Sequence, residues 1–434
     1  MSLTLDALRR HALARSLFAP ITLAQAIERL GFVQADPLRA PARAQDLTLR
    51  HRVVDYCAGD LERAYPQLDI EEDFFVNYGF LPRAHHALMH PRTARRRWGK
   101  PTWAKAQAVL EFVRERGSAH PREVDAHFNH GKVRNWFGGS SNASTELLDG
   151  MHYRGLLRVA RRDSGVRVYA AREPWPEHGD RKSCQARMDA LVDLVVAKYA
   201  PLPAATLGQL VYFLRAAAPQ WARDRPRALA HAKSRLAGAR IEGVDWFWPA
   251  GEDPAAAPHD VDDDRAWLLA PFDPVVWDRR RFELFWGWRY RFEAYTPAAK
   301  RVLGHYALPL LWRERVVGWA TVAVRDGRLQ PAVGFAGPRI TDPAFARAVD
   351  DELHRLHRFL ALAPFSVAGP ADVAAARGGD ARWRDRGDRR GRGDLRRSER
   401  GLHPHAARRG AAHRWRARPC SARAQRWPAR ARGR

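Results

Sequence analysis

Apolar residues at Leu23, Ala26, Ile27 and Leu30 recur at the helical i, i+3, i+4, i+7 interval, opened by Thr22 and Gln25 spaced as a capping box and stopped at Gly31. The pattern changes immediately afterwards. Asp36 precedes Pro37, and a residue before proline is pushed out of the helical region, so Phe32 to Pro37 reads as extended. In an extended chain, positions two apart point to the same side. Gln34 and Asp36 therefore share one face, while Val33 and Ala35 share the other.

Further along, the helical interval predicts elements near Trp103–Glu115 and Pro121–Phe128. Gly138 to Asn142 leads into a third helix, with Leu147, Leu148, Met151, Leu156 and Leu157 as its apolar stripe and Ser141 or Asn142 as its N-cap. Residues 157–169 then form two β-rich runs around Asp163-Ser-Gly165. Three helices and a hairpin are the winged-helix order, in which the third helix can enter a major groove. A similar rhythm returns over 184–249, with helices near Ala186–Tyr199, Thr206–Ala218 and Pro226–Leu236 before the run Ile241–Trp248. Gly251–Asp264, rich in Pro, Ala and Asp, reads as a linker. From Trp267 to Phe335 the pattern turns to strands, including Phe292–Tyr295, Tyr306–Trp312, Val316–Val324 and Gln330–Gly334, with Arg325-Asp-Gly-Arg328 as a hairpin turn and Asp342–Leu362 as a closing helix.

The predicted fold class is α+β: tandem winged-helix modules followed by a small antiparallel β-sheet or barrel domain and a disordered basic C-terminal tail. The expected units are 1–100, carrying the Gln-x-Asp motif, 101–180, 181–255, a β-rich domain over 265–365, and an Arg-rich tail over 371–434 that is disordered or non-native.

Composition changes this picture in one respect. The formal charge is +26, and because residues 371–434 hold 20 Arg against 6 acidic residues, +12 remains on residues 1–370. A basic body fits a polyanionic partner. The bias of 67 Arg over 7 Lys is also what GC-rich coding DNA produces without any selection for phosphate binding. No run approaches the roughly 20 apolar residues that span a bilayer, and the N-terminus lacks an apolar signal core, so a cytoplasmic protein with no membrane partner is expected. Cys57, Cys184 and Cys420 lie far apart and suggest neither a disulfide framework nor a structural zinc.

Most other constellations have plain readings. His85, His86 and His90 include an i, i+4 pair but no acidic ligand at useful spacing, so no metal is expected there. His354 and His357 fit packing of the closing helix, and Asp262, Asp263 and Asp264 fit a solvated linker. Gly138-Gly-Ser140 lacks the Gly-Lys-Ser/Thr ending of a phosphate loop. Trp277, Trp286 and Trp288 can stack on an opened base or simply pack a sheet. Arg39, Arg43 and Arg50 after the motif, and Arg158, Arg161 and Arg162 on the expected wing, suit either phosphate contacts or a solvated charged face. A Gln-x-Asp tripeptide alone is unspecific.

Phe32-Val-Gln-Ala-Asp-Pro-Leu-Arg-Ala-Pro-Ala-Arg43 resembles the signature of the YcaQ-type bacterial DNA glycosylases, kin to the azinomycin-resistance enzyme that unhooks interstrand crosslinks. Leu269-Ala-Pro-Phe-Asp-Pro-Val-Val-Trp-Asp-Arg-Arg-Arg281, Tyr290-Arg-Phe-Glu-Ala-Tyr-Thr-Pro-Ala-Ala-Lys-Arg301 and Ala307-Leu-Pro-Leu-Leu311 are similar to the C-terminal block of that family. The resemblance spans most of residues 5–360 and leaves out the tail. It implies that Gln34 and Asp36 are the catalytic pair, adds weight to Lys300 and Arg301 as DNA contacts, and implies double-stranded DNA containing alkylated purines as partner. No cofactor or obligate protein partner is inferred, and a monomer is expected. Two departures stand out: Ala35 is smaller than the usual aliphatic residue, and 72–82 carries Phe74 and Val76 where many members have Trp and His.

The chemistry suits the pair. Alkylation at N7 makes a purine cationic and a good leaving group, so what remains is to stabilise an oxocarbenium-like sugar and deliver water. A carboxylate does both, and a neighbouring carboxamide orients the water. No lysine lies near the motif in sequence, which favours hydrolysis over strand cleavage. A noncatalytic winged-helix regulator is the alternative reading, and a small-molecule module in the β-rich part a third. The first predicts a preferred undamaged sequence, the second a closed apolar cavity without lesion activity.

Overall fold

The computed structural model describes residues 3–94, 97–134, 139–176, 179–256 and 264–362. The Arg-rich tail lies outside the described residues, and with it the expectation of disorder. Among the described residues, no helix is long and apolar enough to cross a membrane.

Thr22 and Gln25 form the expected capping box at the start of the Leu23–Leu30 helix, and Gly31 ends it in the left-handed region at φ 64°. The chain passes directly into the short strand Val33–Gln34. That strand pairs antiparallel with Tyr78–Pro82, whose other edge carries Ile70–Phe74. Gly79 sits opposite Gln34, and a Cβ there would lie 2.3 Å from the Val33 carbonyl oxygen and 2.6 Å from the Phe32 ring. Only glycine allows this approach.

Helices Lys100–Arg116, Pro121–Phe128 and Ala143–Tyr153 precede the hairpin Leu157–Asp163 and Val166–Ala171, whose tip uses Ser164 and Gly165 at φ 52° and 87°. A small ladder, Lys132–Arg134 with Ser140–Asn142, stands before the third helix. Asn142 occupies the N-cap position, but its amide donates to Asp125 instead of capping. Leu156 and Leu157 fall beyond that helix, because Gly155 at φ 76° turns the chain and Leu157 opens a strand. The next helices are Arg181–Tyr199, Ala204–Phe213 and Arg225–Arg235. The run expected over Ile241–Trp248 is a turn and second arm of a hairpin, Ala237–Ile241 with Val244–Trp248.

Residues 266–335 build an antiparallel four-stranded sheet in the order Ala266–Leu268, Leu308–Trp312, Arg315–Arg325, Arg328–Phe335, with its first and last strands not paired to each other. Asp326 and Gly327, at φ 50° and 73°, make the expected tight turn. Helix Pro343–Phe359 buries Phe345, Val349, Leu356 and Phe359 against the main apolar body. The strand expected over Phe292–Tyr295 is instead a loop. The Glu293 carboxylate accepts from the amides of Val302 and Leu303 at 2.8 and 2.7 Å, folding the segment on itself. The expected linker is also partly structured: Glu252 accepts from His11 at 2.8 Å and pairs with Arg15, and Pro254–Ala256 forms a 3-10 turn. Residues 257–263 lie outside the described part.

Apolar cores cross the unit boundaries expected from sequence. One joins Phe18 through Tyr169 to Ala266 through Leu360, and another joins Leu8 and Phe32 to the 188–248 helices. Buried ion pairs run the same way. Arg52 places both terminal nitrogens on Asp273 at 2.8 and 3.0 Å and donates to the carbonyls of Ser16 and Thr48. With every donor of the fork but one end satisfied, the charge is compensated rather than stranded. This pair fixes the C-terminal block beside the motif.

Candidate active site

Because Val33 and Ala35 both pack into the first apolar core, Gln34 and Asp36 occupy the opposite side of the extended segment. The ladder continues through Ala35, whose N–H reaches the Tyr78 carbonyl at 3.0 Å. The Asp36 N–H is taken by Oε1 of the buried Gln45, at 3.3 Å. Backbone geometry at the motif is thus fixed on both sides of Ala35.

Gln34 is 4% exposed, and its Oε1 accepts from the indole N–H of Trp277 at 3.0 Å. That bond fixes the amide's orientation: oxygen held, NH2 left as a donor with no partner among the described residues. Asp36 is half-buried. Its Oδ1 accepts from the Leu38 N–H at 2.9 Å, an Asx turn across Pro37, and its Oδ2 has no partner among the described residues. Burial pushes the carboxyl up to about 6, with the Leu38 N–H pulling the other way. A carboxylate still ionised at neutral pH, with one oxygen available, suits general-base work. Tyr295 and Tyr306 lie within reach of its charge, their phenols pushed up by burial and then by Asp36.

Lys198 comes from 164 residues beyond Gln34 to donate to the Phe32 carbonyl, two positions before the motif. Burial, then Arg52, push its amine down to about 7, with Asp273 opposing. At 7% exposure it is enclosed by Phe32 and Tyr199.

The expected DNA-contacting cations divide. Arg39, Arg161 and Lys300 are exposed, Arg301 is half-buried and donates to the Thr296 carbonyl, and Arg158 is half-buried beside Glu71 at 3.3 Å. Arg161 also donates to Ser118 and Asp163. Arg43 pairs with Glu62 at 2.6 Å and lies against Gly165 at the hairpin tip, where Glu62 also takes the Gly165 N–H. Arg50 and Arg162 are committed elsewhere. Arg50, 3% exposed in its side chain, pairs with the buried Glu352 and donates to the Leu268 carbonyl. Arg162 places two nitrogens on the buried Glu72 at 2.8 and 3.0 Å. Both are therefore corrected from phosphate contacts to internal ties, since leaving a buried carboxylate alone is costly.

Sequence reading also missed an acidic partner for the histidines. Asp73, on the strand Ile70–Phe74, accepts from His86 at 3.0 Å and His90 at 3.2 Å through Oδ2 and from Arg92 at 2.9 Å through Oδ1. Asp73, His86 and His90 could gather a metal ion by distance alone. Burial by itself would raise the Asp73 carboxyl, but Arg92, His86 and His90 together hold it well below the usual carboxylate range. The arrangement reads as a charge-compensated buried knot, with neither Nδ1 braced as a metal-bound imidazole normally is. Tyr295 and Tyr306 were the other omissions, and Trp277 was weighed as a stacking or packing ring but not as a partner of Gln34. Tyr295 lies inside a block that carries the family resemblance and Tyr306 immediately precedes one, which was the available signal.

The motif thus places a half-buried carboxylate two positions from a carboxamide oriented by the C-terminal block. Residues 27–359 match the model of the AlkZ-like DNA glycosylase family, and the chain belongs to that family: it is a DNA glycosylase, an enzyme of DNA repair. In fold it is similar to the DNA glycosylase AlkZ of Streptomyces sahachiroi, with a TM-score of 0.53 and 16% identity over 83% of this chain and 97% of that one.

Proposed function

We propose that this glycosylase is monofunctional and hydrolyses the N-glycosidic bond of N7-alkylated purines in double-stranded DNA, bulky adducts and interstrand crosslinks included. Asp36 acts as general base and stabilises the oxocarbenium-like sugar, and Gln34 orients the attacking water through its NH2. The observation that carries this reading is the free Oδ2 of Asp36 on the same face as an amide clamped by Trp277. Water attack needs no amine, and Lys198, which folds against the Phe32 carbonyl two positions before the motif, is buried away from any sugar. Support for bulky lesions comes from the setting of Asp36, half-buried beside an exposed tyrosine, which suits a groove-like site better than full extrusion into a closed pocket.

Residues 101–180 act as a winged-helix module, supported by three helices followed by a hairpin whose tip packs against Arg43. Arg39, Arg161, Lys300 and Arg301 contact phosphates, and the protein works as a cytoplasmic monomer. Binding is then strongly salt-dependent. The test incubates purified protein with an oligonucleotide bearing one N7-methylguanine and reveals abasic sites with hot alkali. Asp36→Asn and Gln34→Ala retain DNA binding and lose most product; unchanged activity in both removes the assigned roles.

A further inference from the structure

Within reach of the Asp36 charge, the loop over residues 288–297 presents an aromatic shelf. Phe292 is its hub, with ring centroids 5.2 Å from Phe272, 5.4 Å from Tyr306 and 6.0 Å from Tyr295, all edge-to-face. Phe292 and Tyr306 pack into the same apolar body as Ala35 and Leu38, which flank Asp36 in sequence. The shelf is anchored by the Glu293 carboxylate, which holds the amides of Val302 and Leu303.

Two features of this shelf have no structural explanation. Tyr295 leaves a large ring 62% exposed although Phe292 already fills the core position beside it. Tyr306 is 2% exposed, yet its hydroxyl has no hydrogen-bond partner among the described residues. Burying a hydroxyl without a partner is unfavourable, so such an atom points to a ligand group that completes it. Both phenols feel the Asp36 charge.

An N7-alkylated purine differs from its undamaged parent by a full positive charge spread over the ring, and an exposed tyrosine face attracts such a cation electrostatically. We infer that Tyr295 is a specificity-determining residue that stacks its face on the cationic damaged base while Asp36 meets the sugar, so that the site selects charge as well as shape. This rests on the reading of Asp36 as the catalytic carboxylate. Tyr306, below it, supplies a hydroxyl to the base edge or to the water held there.

The discriminating measurement is equilibrium binding to two duplexes of equal shape. One carries a 2′-fluoro-stabilised N7-methylguanine, which is cationic and resists cleavage; the other carries 7-methyl-7-deazaguanine, its neutral counterpart. The wild type binds the cationic duplex about tenfold more tightly, Tyr295→Phe keeps that ratio, and Tyr295→Leu brings it close to one. A trifluorinated phenylalanine at position 295, equal in shape but with a depleted ring face, lowers the ratio as the leucine does. An unchanged ratio in Tyr295→Leu overturns the inference. Failure of the wild type to leave abasic sites in ordinary N7-methylguanine DNA overturns the functional reading instead, and the binding ratio still decides the role of Tyr295. Because the ring is largely exposed, the substitutions leave the melting temperature unchanged, and a lost ratio is a loss of recognition.

Discussion

If Asp36 is the general base and its carboxyl titrates at about 6, the protein's contribution to the acid limb of glycosylase activity follows its ionisation. About one tenth of the population carries the carboxylate at pH 5 and about one hundredth at pH 4, so the single-turnover rate falls roughly tenfold per unit below pH 6 and levels off above pH 7. Asp36→Asn keeps the shape and removes the charge; it lowers the plateau by about a hundredfold to ten-thousandfold and abolishes the slope. Dividing the wild-type rate by the Asp36→Asn rate at each pH cancels any titration belonging to the lesion. The same group makes a second, independent claim. Its folded pKa lies above the ordinary carboxylate value, so the native state holds a proton more tightly, and Asp36 costs stability as pH rises through that window from about 4 to 6. Asp36→Asn is therefore more stable than the wild type at pH 7, by up to about 3 kcal/mol, and equal to it below pH 4. A rate ratio that does not change between pH 5 and 7, or an asparagine variant that melts lower at pH 7, refutes the assignment of a desolvated catalytic base.

Trp277→Phe removes the indole donor that holds the Gln34 oxygen, and the freed amide rotates; we expect roughly a tenfold lower single-turnover rate with DNA affinity unchanged, read by gel shift beside the cleavage assay. Asp273→Ala strands the fully buried Arg52 and destabilises the fold by about 3–5 kcal/mol in urea unfolding, and a loss below 1 kcal/mol would show that the pair does not hold the C-terminal block in place. Lys198, pushed down to about 7, is protonated in the unfolded chain but not in the native one between pH 7 and its ordinary value near 10.5. Wild-type stability therefore gains with rising pH in that window relative to Lys198→Met, and parallel melting profiles from pH 7 to 10 would contradict the burial of the amine.

Local chemistry was legible wherever a signal lies within a few residues. The capping box at Thr22, the stop at Gly31, the turn at Asp326-Gly327 and the face shared by Gln34 and Asp36 each depend on neighbouring positions alone. Failures came where a distant partner decides the outcome. Phe292–Tyr295 has strand composition, yet Glu293 finds two amides nine and ten residues on and makes a loop. Arg50 and Arg162 look like surface cations until Glu352 and Glu72 arrive from elsewhere in the chain.

The same asymmetry explains the active site. Its two candidate residues stand two positions apart on one extended segment, but their settings are non-local. Trp277 orients the amide, Gln45 holds the Asp36 backbone, burial raises the carboxyl, and Tyr295 and Tyr306 of the 288–306 segment lie within reach of its charge and can form part of the wall around it. Arg52 and Asp273 lock that wall to the motif's own scaffold. On the proposed role of Asp36, its activity then depends on an ion pair remote from the substrate. A partial weakening such as Asp273→Asn should shift the acid limb of the pH–rate profile toward the ordinary carboxylate value before it unfolds the protein, because a loosened wall admits water to Asp36. A limb that stays at pH 6 while the plateau falls would mean that the wall acts only by shape.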